Sequence, residues 1–125
     1  MKIVIKAIPH DKQRYDTVGD YWVDGDGTRQ IRVSQMVDPR YELLVALHEL
    51  IEQELCLQRG ISEEEITAFD KAFEAARNEW DNEEPGDNEK APYRKEHFFA
   101  TSIERLLAAE FGVDWAEYDD AVMSL

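Results

Sequence analysis

The chemistry legible in this chain concentrates in five consecutive residues, His48-Glu49-Leu50-Ile51-Glu52. On a helix, positions 48 and 52 lie one turn apart on the same face, so an imidazole and a carboxylate there can grip one cation together. Glu49 stands beside them and can polarise a water bound to that cation. A third ligand has few sources, because the chain has three histidines, His10, His48 and His97. His97 opens a helical stretch whose Phe98, Ile103, Leu106, Leu107 and Phe111 read as its buried face, which would pack it against the helix carrying His48. Glu104, seven residues after His97, shares its face and is either a fourth ligand or a partner behind a ligand. His10, in the turn Pro9-His10-Asp11, is the weaker alternative. A His48/Glu52/His97 set would leave room for water at the cation, as an open site requires. Each residue also has an ordinary structural reading: His48 as a core histidine bonded to a backbone carbonyl, Glu49 as a solvated glutamate, Glu52 as a surface partner of an arginine.

The elements that must hold these residues follow from local signals. Residues 1–37 read as strands: Lys2 to Ile8, then 20–23 and 28–33 flanking Asp24-Gly25-Asp26-Gly27, a hairpin turn signal. The same four residues lack the later ligand positions of a calcium loop, so the plain turn is preferred. Residues 38–125 read as helical. Asp38 caps a helix with Pro39 at its first position, and Gly60 ends it. On that helix Leu44, Leu47, Ile51 and Leu55 form an apolar stripe that includes His48, with Glu52 at its border and Leu43, Leu50 and Leu57 alongside. Glu42, Glu49 and Gln53 share the opposite, wetter side. Ser62-Glu63-Glu64-Glu65 is a capping box opening a second helix that runs to near Trp80. Residues 81–92 form a polar loop. A third helix spans about 94–111 and stops at Gly112, and Asp114-Trp115-Ala116-Glu117 is another capping box, opening a short last helix. The order predicts a single α+β domain over 1–125, a small three-stranded antiparallel or mixed sheet followed by about four helices.

Composition narrows the function classes. The chain of 125 residues carries 28 acidic and 14 basic side chains, a net charge of −14, and the 43% hydrophobic content suffices for a core. Such an excess of carboxylates repels a phosphate backbone, which excludes a nucleic-acid-backbone binder. Residues 61–90 alone hold 11 acidic and 3 basic residues. The lone Cys56 implies no internal disulfide and reads as an inert buried thiol. No run is long enough to span a membrane, and the first apolar run is broken too early for a signal peptide, so the expected location is the cytoplasm. Asp70, Glu74 and Arg77 read as a solvated face; Trp22, Trp80 and Trp115 read as core or interface anchors. No glycine-rich phosphate loop or serine elbow is present.

His48-Glu49-x-x-Glu52 differs by one residue from the His-Glu-x-x-His of zinc metallopeptidases, in which two histidines bind zinc and the glutamate is the general base. Together with the strands ending Ile31-Arg32-Val33, the helix Ala46 to Glu52 and the stretch Lys90 to Thr101, it resembles the minimal zincin-like proteins of phages and prophages, over about residues 20–110. The resemblance implies His48, Glu52 and His97 as metal ligands, Glu49 as the base, and a peptide or protein substrate. Glu52 in place of histidine keeps an acceptable zinc ligand but hardens the site, so zinc comes first and manganese or iron remain open. A second expectation comes from charge: a non-catalytic acidic phage protein that binds a basic host partner or mimics DNA charge.

Overall fold

The computed structural model describes all residues 1–125. Strands β1 (Ile3–Ile8), β2 (Gly19–Val23) and β3 (Arg29–Ser34) form one sheet in the order β1-β3-β2. β2 and β3 are an antiparallel hairpin registered from Gly19↔Val33 to Val23↔Arg29, whereas β1 runs parallel to β3 from Ile3↔Arg29 to Ile8↔Ser34. The sheet is therefore mixed. The hairpin turn uses its aspartates to close itself: Asp26 Oδ1 accepts from Thr28 N at 2.9 Å and Asp24 Oδ1 from Trp22 Nε1 at 3.0 Å. Gly27 supplies the positive φ of +85° that a side chain would resist. The segment between β1 and β2 passes the end of β3, where Ser34 N bonds Val18 O at 2.8 Å and Gln35 N bonds Ile8 O at 2.7 Å.

Four helices follow, giving the α+β class: α1 (Pro39–Arg59), α2 (Glu63–Ala75), α3 (Arg94–Glu110) and α4 (Trp115–Met123). Asp38 caps α1 by accepting from Arg40 N at 2.9 Å, and Gly60, at φ +71°, ends it in the left-handed conformation. Ser62 and Glu65 close a reciprocal capping box on α2. At α4, Asp114 accepts from Glu117 N at 3.0 Å without the reciprocal bond. α1 packs on α3 and across β2 and β3. Ile31 and Val33 of the sheet, Leu44, Val45 and Cys56 of α1, Ala108 of α3 and Tyr118 of α4 belong to one buried apolar cluster. Burying a side chain such as Ile31 or Leu44 contributes roughly 1.5–3 kcal/mol. No helix is long and apolar enough to cross a membrane.

Several local expectations change. α2 ends at Ala75, five residues short of Trp80, because Arg77 turns the chain back: its guanidinium pairs with Glu74 at 2.8 Å and donates to the carbonyl oxygens of Asp81 and, at 2.7 Å, of Glu83. Trp80 is left exposed. On α3 the inward stripe is His97, Ala100, Glu104 and Ala108, while Phe98 is 40% and Leu106 66% exposed. Alanines let the two helices approach, and the space beside them is filled by polar side chains. On α1 the expected wet side faces β2 instead. Gln53 is fully buried and donates to Trp22 O at 3.2 Å, Glu49 lies against Gly19, and Leu43 and Leu57 are exposed. An edge strand offering a free carbonyl and a bare glycine calls for polar partners, which outweighs the apolar count. Asp70 is also buried, between two tyrosines, and does not join a solvated face.

Candidate metal centre

α1 presents His48 and, one turn on, Glu52; the first turn of α3 presents His97 between them. All three are buried, at 6%, 4% and 6% exposure. His48 Nε2 lies 3.1 Å from Glu52 Oε2, His97 Nδ1 lies 3.0 Å from the same oxygen, and the two ring nitrogens are 3.2 Å apart. Donors on one tetrahedral zinc ion stand about 3.4 Å apart, so this triangle needs only a few tenths of an ångström to fit one. His48, Glu52 and His97 form a buried group that could hold a metal ion.

The surrounding partners decide what the three atoms offer. Tyr118 OH donates to Glu104 Oε2, and Glu104 Oε1 lies 2.8 Å from His48 Nδ1. A carboxylate can only accept, so Nδ1 carries the proton and the Nε2 lone pair of a neutral His48 points inward. Tyr21 OH donates to Glu52 Oε1 at 2.9 Å, which orients the other oxygen to the centre. On the outer side of His97, Nε2 faces Glu84 Oε2 at 3.1 Å and Asp87 Oδ1 at 3.2 Å. A proton kept there turns the Nδ1 lone pair inward as well. Three lone pairs then converge on one point, which is stable only around a cation or shared protons.

The titration of the groups reflects the same demand for positive charge. Burial opposes the charge on His48, yet Glu104 and Glu52 raise its pKa to about 10. Burial likewise opposes charge on His97, and Asp87, Glu52 and Glu84 outweigh it, to about 12. Glu52 is pulled down to about 2, against its burial, by the two histidines. Glu49 moves the other way, well above the ordinary glutamate range, because desolvation opposes its charge and it faces the Glu52 charge. Glu49 lines the same cleft of about 340 Å³ as the three converging residues.

Space for these side chains is made by glycine. A Cβ on Gly19 would sit 2.5 Å from Glu49 Oε1, and one on Gly86 would collide with the His97 ring. His10 is not in the cluster: it binds Ser34 Oγ at 2.8 Å and Asp16 Oδ1 at 3.1 Å, at the rim of the cleft. Glu104 meets the outer nitrogen of His48 and so stands behind it. Sequence reasoning did not anticipate Tyr21, Tyr118, Glu84, Asp87 or Asp70. The one local signal was Pro85-Gly86-Asp87, where glycine permits close approach to another side chain.

Comparisons of the chain with protein-family models, curated proteins and solved structures find no match.

Proposed function

We propose that the protein binds one divalent cation through His48, Glu52 and His97, zinc foremost, with manganese or iron as alternatives, and uses it for hydrolysis of a peptide bond. The observation that carries this reading is the convergence of three donor atoms, two of which, His48 Nε2 and Glu52 Oε2, are aimed inward by the outer partners Glu104 and Tyr21. Two imidazoles and a carboxylate, with a cleft in front of them, match the donor set of open hydrolytic zinc sites. A cation held there would polarise a carbonyl and acidify water. Glu49, from its place on the cleft wall, would take the proton from that water as general base. Tyr21 and Glu104 keep Glu52 and His48 aimed. The peptide as substrate rests on the likeness to zincin-like phage proteins carried by residues 48–52.

The alternative of a non-catalytic acidic protein has less support. In the acid-rich stretch Glu63 accepts from Val23 N at 2.7 Å, Glu65 caps α2, Glu74 pairs with Arg77, Asp70 is buried and Glu84 and Asp87 face His97. Those charges serve the fold and the centre before any partner. Metal analysis of purified protein beside His48→Ala tests the reading, with Glu49→Gln assayed on a peptide library. Less bound metal in His48→Ala than in the wild type and in Glu49→Gln is expected, with hydrolysis confined to the wild type. Equal, negligible metal in all three would reject it.

A further inference from the structure

His97 has a second ring nitrogen, and its surroundings are unusual. Nε2 is buried and has no hydrogen-bond partner, although Glu84 Oε2 is 3.1 Å and Asp87 Oδ1 3.2 Å away. Both oxygens flank the N–H axis instead of lying along it. Neighbouring donors on one cation stand in that relation, since cis ligands of an octahedral ion are about 3.0 Å apart and those of a tetrahedral ion about 3.4 Å.

The geometry points to a second divalent-cation site formed by His97 Nε2, Glu84 and Asp87, with His97 bridging it to the inner centre; the bridge, though not the outer site, rests on the function proposed above. The three donor atoms form a cation-sized group of their own. Glu84 and Asp87 belong to one tight turn, in which Asp87 N bonds Glu84 O at 3.0 Å, so their carboxylates are presented together. Arg77 holds the preceding residues through Glu83 O, and Arg94 Nε donates to Asp87 O at 3.3 Å. Gly86 lets the imidazole lie against the turn. The carboxylates are 40% and 42% exposed, which leaves room for water to complete the coordination. When the outer cation binds, the Nε2 proton leaves to solvent and the ring serves both sites as imidazolate.

Equilibrium dialysis of the full chain against Zn²⁺ alone, followed by metal counting, tests this. Two equivalents are expected in the wild type, one in the Glu84→Gln/Asp87→Asn double variant and one in His48→Ala/Glu52→Gln. The first double variant changes rim side chains and should keep its circular dichroism. A single equivalent that it retains unchanged, while His48→Ala/Glu52→Gln loses it, overturns the outer site and leaves the inner one standing. A single equivalent lost in Glu84→Gln/Asp87→Asn and kept in His48→Ala/Glu52→Gln supports the outer site and rejects the inner one. Loading with Cu²⁺ reads the bridge. Two ions joined by imidazolate couple, so the doubly loaded protein should give far less spin-resonance signal than two isolated ions; the full uncoupled signal would overturn the bridge.

Discussion

His48 and Glu104 are separated by 56 residues and meet at 2.8 Å, Nδ1 against Oε1. Because Tyr118 OH occupies the other oxygen, Glu104 fixes which nitrogen of His48 carries the proton. Glu104→Gln keeps the shape but offers an amide that can present a donor to Nδ1, which would favour the wrong tautomer. Losing such an outer partner weakens metal binding by roughly 10–100-fold. Competition with a chromophoric chelator should show that drop with the far-ultraviolet circular dichroism unchanged. Tyr118→Phe should act in the same direction and less strongly. Wild-type affinity in Glu104→Gln would remove Glu104 from the centre.

Gly19 and Glu49 are coupled by space. The β2 backbone at Gly19 is paired with Val33 of β3 and cannot yield, so an added methyl group must displace the Glu49 carboxylate. Overpacking of this kind costs about 1–3 kcal/mol. Gly19→Ala should therefore destabilise the wild type by that amount but have little effect in a Glu49→Ala background. A double-mutant cycle by denaturant titration measures the difference. Equal costs in both backgrounds would mean that Glu49 does not lean on β2.

The grouping of His48, Glu52 and His97 was legible because its parts are local or scarce. Residues 48 and 52 must share a face of any helix, and with three histidines in the chain the choice of a third ligand was short. The α+β order was legible from caps and turn residues, including Asp38, Gly60 and Ser62. What escaped depends on contacts between distant segments. Periodicity assigned Phe98 and Leu106 to the interior, but the inner surface of α3 is determined by what α1 presents to it, and α1 presents a histidine and a glutamate. That the Glu49 and Gln53 side faces β2 is likewise not legible, since nothing local shows that this strand brings a glycine and an unpaired carbonyl to it. Glu84 and Asp87 reach His97 from a loop that Arg77 folds back, a relation spread over residues that look like an ordinary polar segment.

Arg77 should accordingly act as a positioning residue for that loop. It joins Glu74 to the carbonyl oxygens of Asp81 and Glu83, and half-buried charged hydrogen bonds of this sort contribute roughly 1.5–3 kcal/mol each before solvent screening. Arg77→Ala should speed amide hydrogen exchange across residues 81–88 selectively. The amides of α1 and β3 should stay protected. Uniform exchange acceleration would instead indicate global destabilisation, and no change would show that the loop holds itself.

Asp70 makes the pH dependence specific. Tyr93 OH donates to Oδ1, and Tyr15 OH to Oδ2 at 3.0 Å, yet burial prevails and raises the carboxyl from 3.8 to about 6. The folded state thus binds the proton more tightly than the unfolded state. Protonated Asp70 is accommodated fully below pH 4, and the stability it brings is lost as pH rises from about 4 to about 6, to an extent of order 3 kcal/mol. This sign is opposite to that of Glu52, whose lowered pKa removes stability as pH falls through the range from 4.5 to about 2. Asp70→Asn cannot ionise, and its amide can still meet both phenols. The difference in unfolding free energy between Asp70→Asn and the wild type should therefore grow in favour of the variant between pH 4 and 6 and level off above. Parallel profiles across that window would show that Asp70 titrates as it does in the unfolded chain, and that the two tyrosines compensate its burial in full.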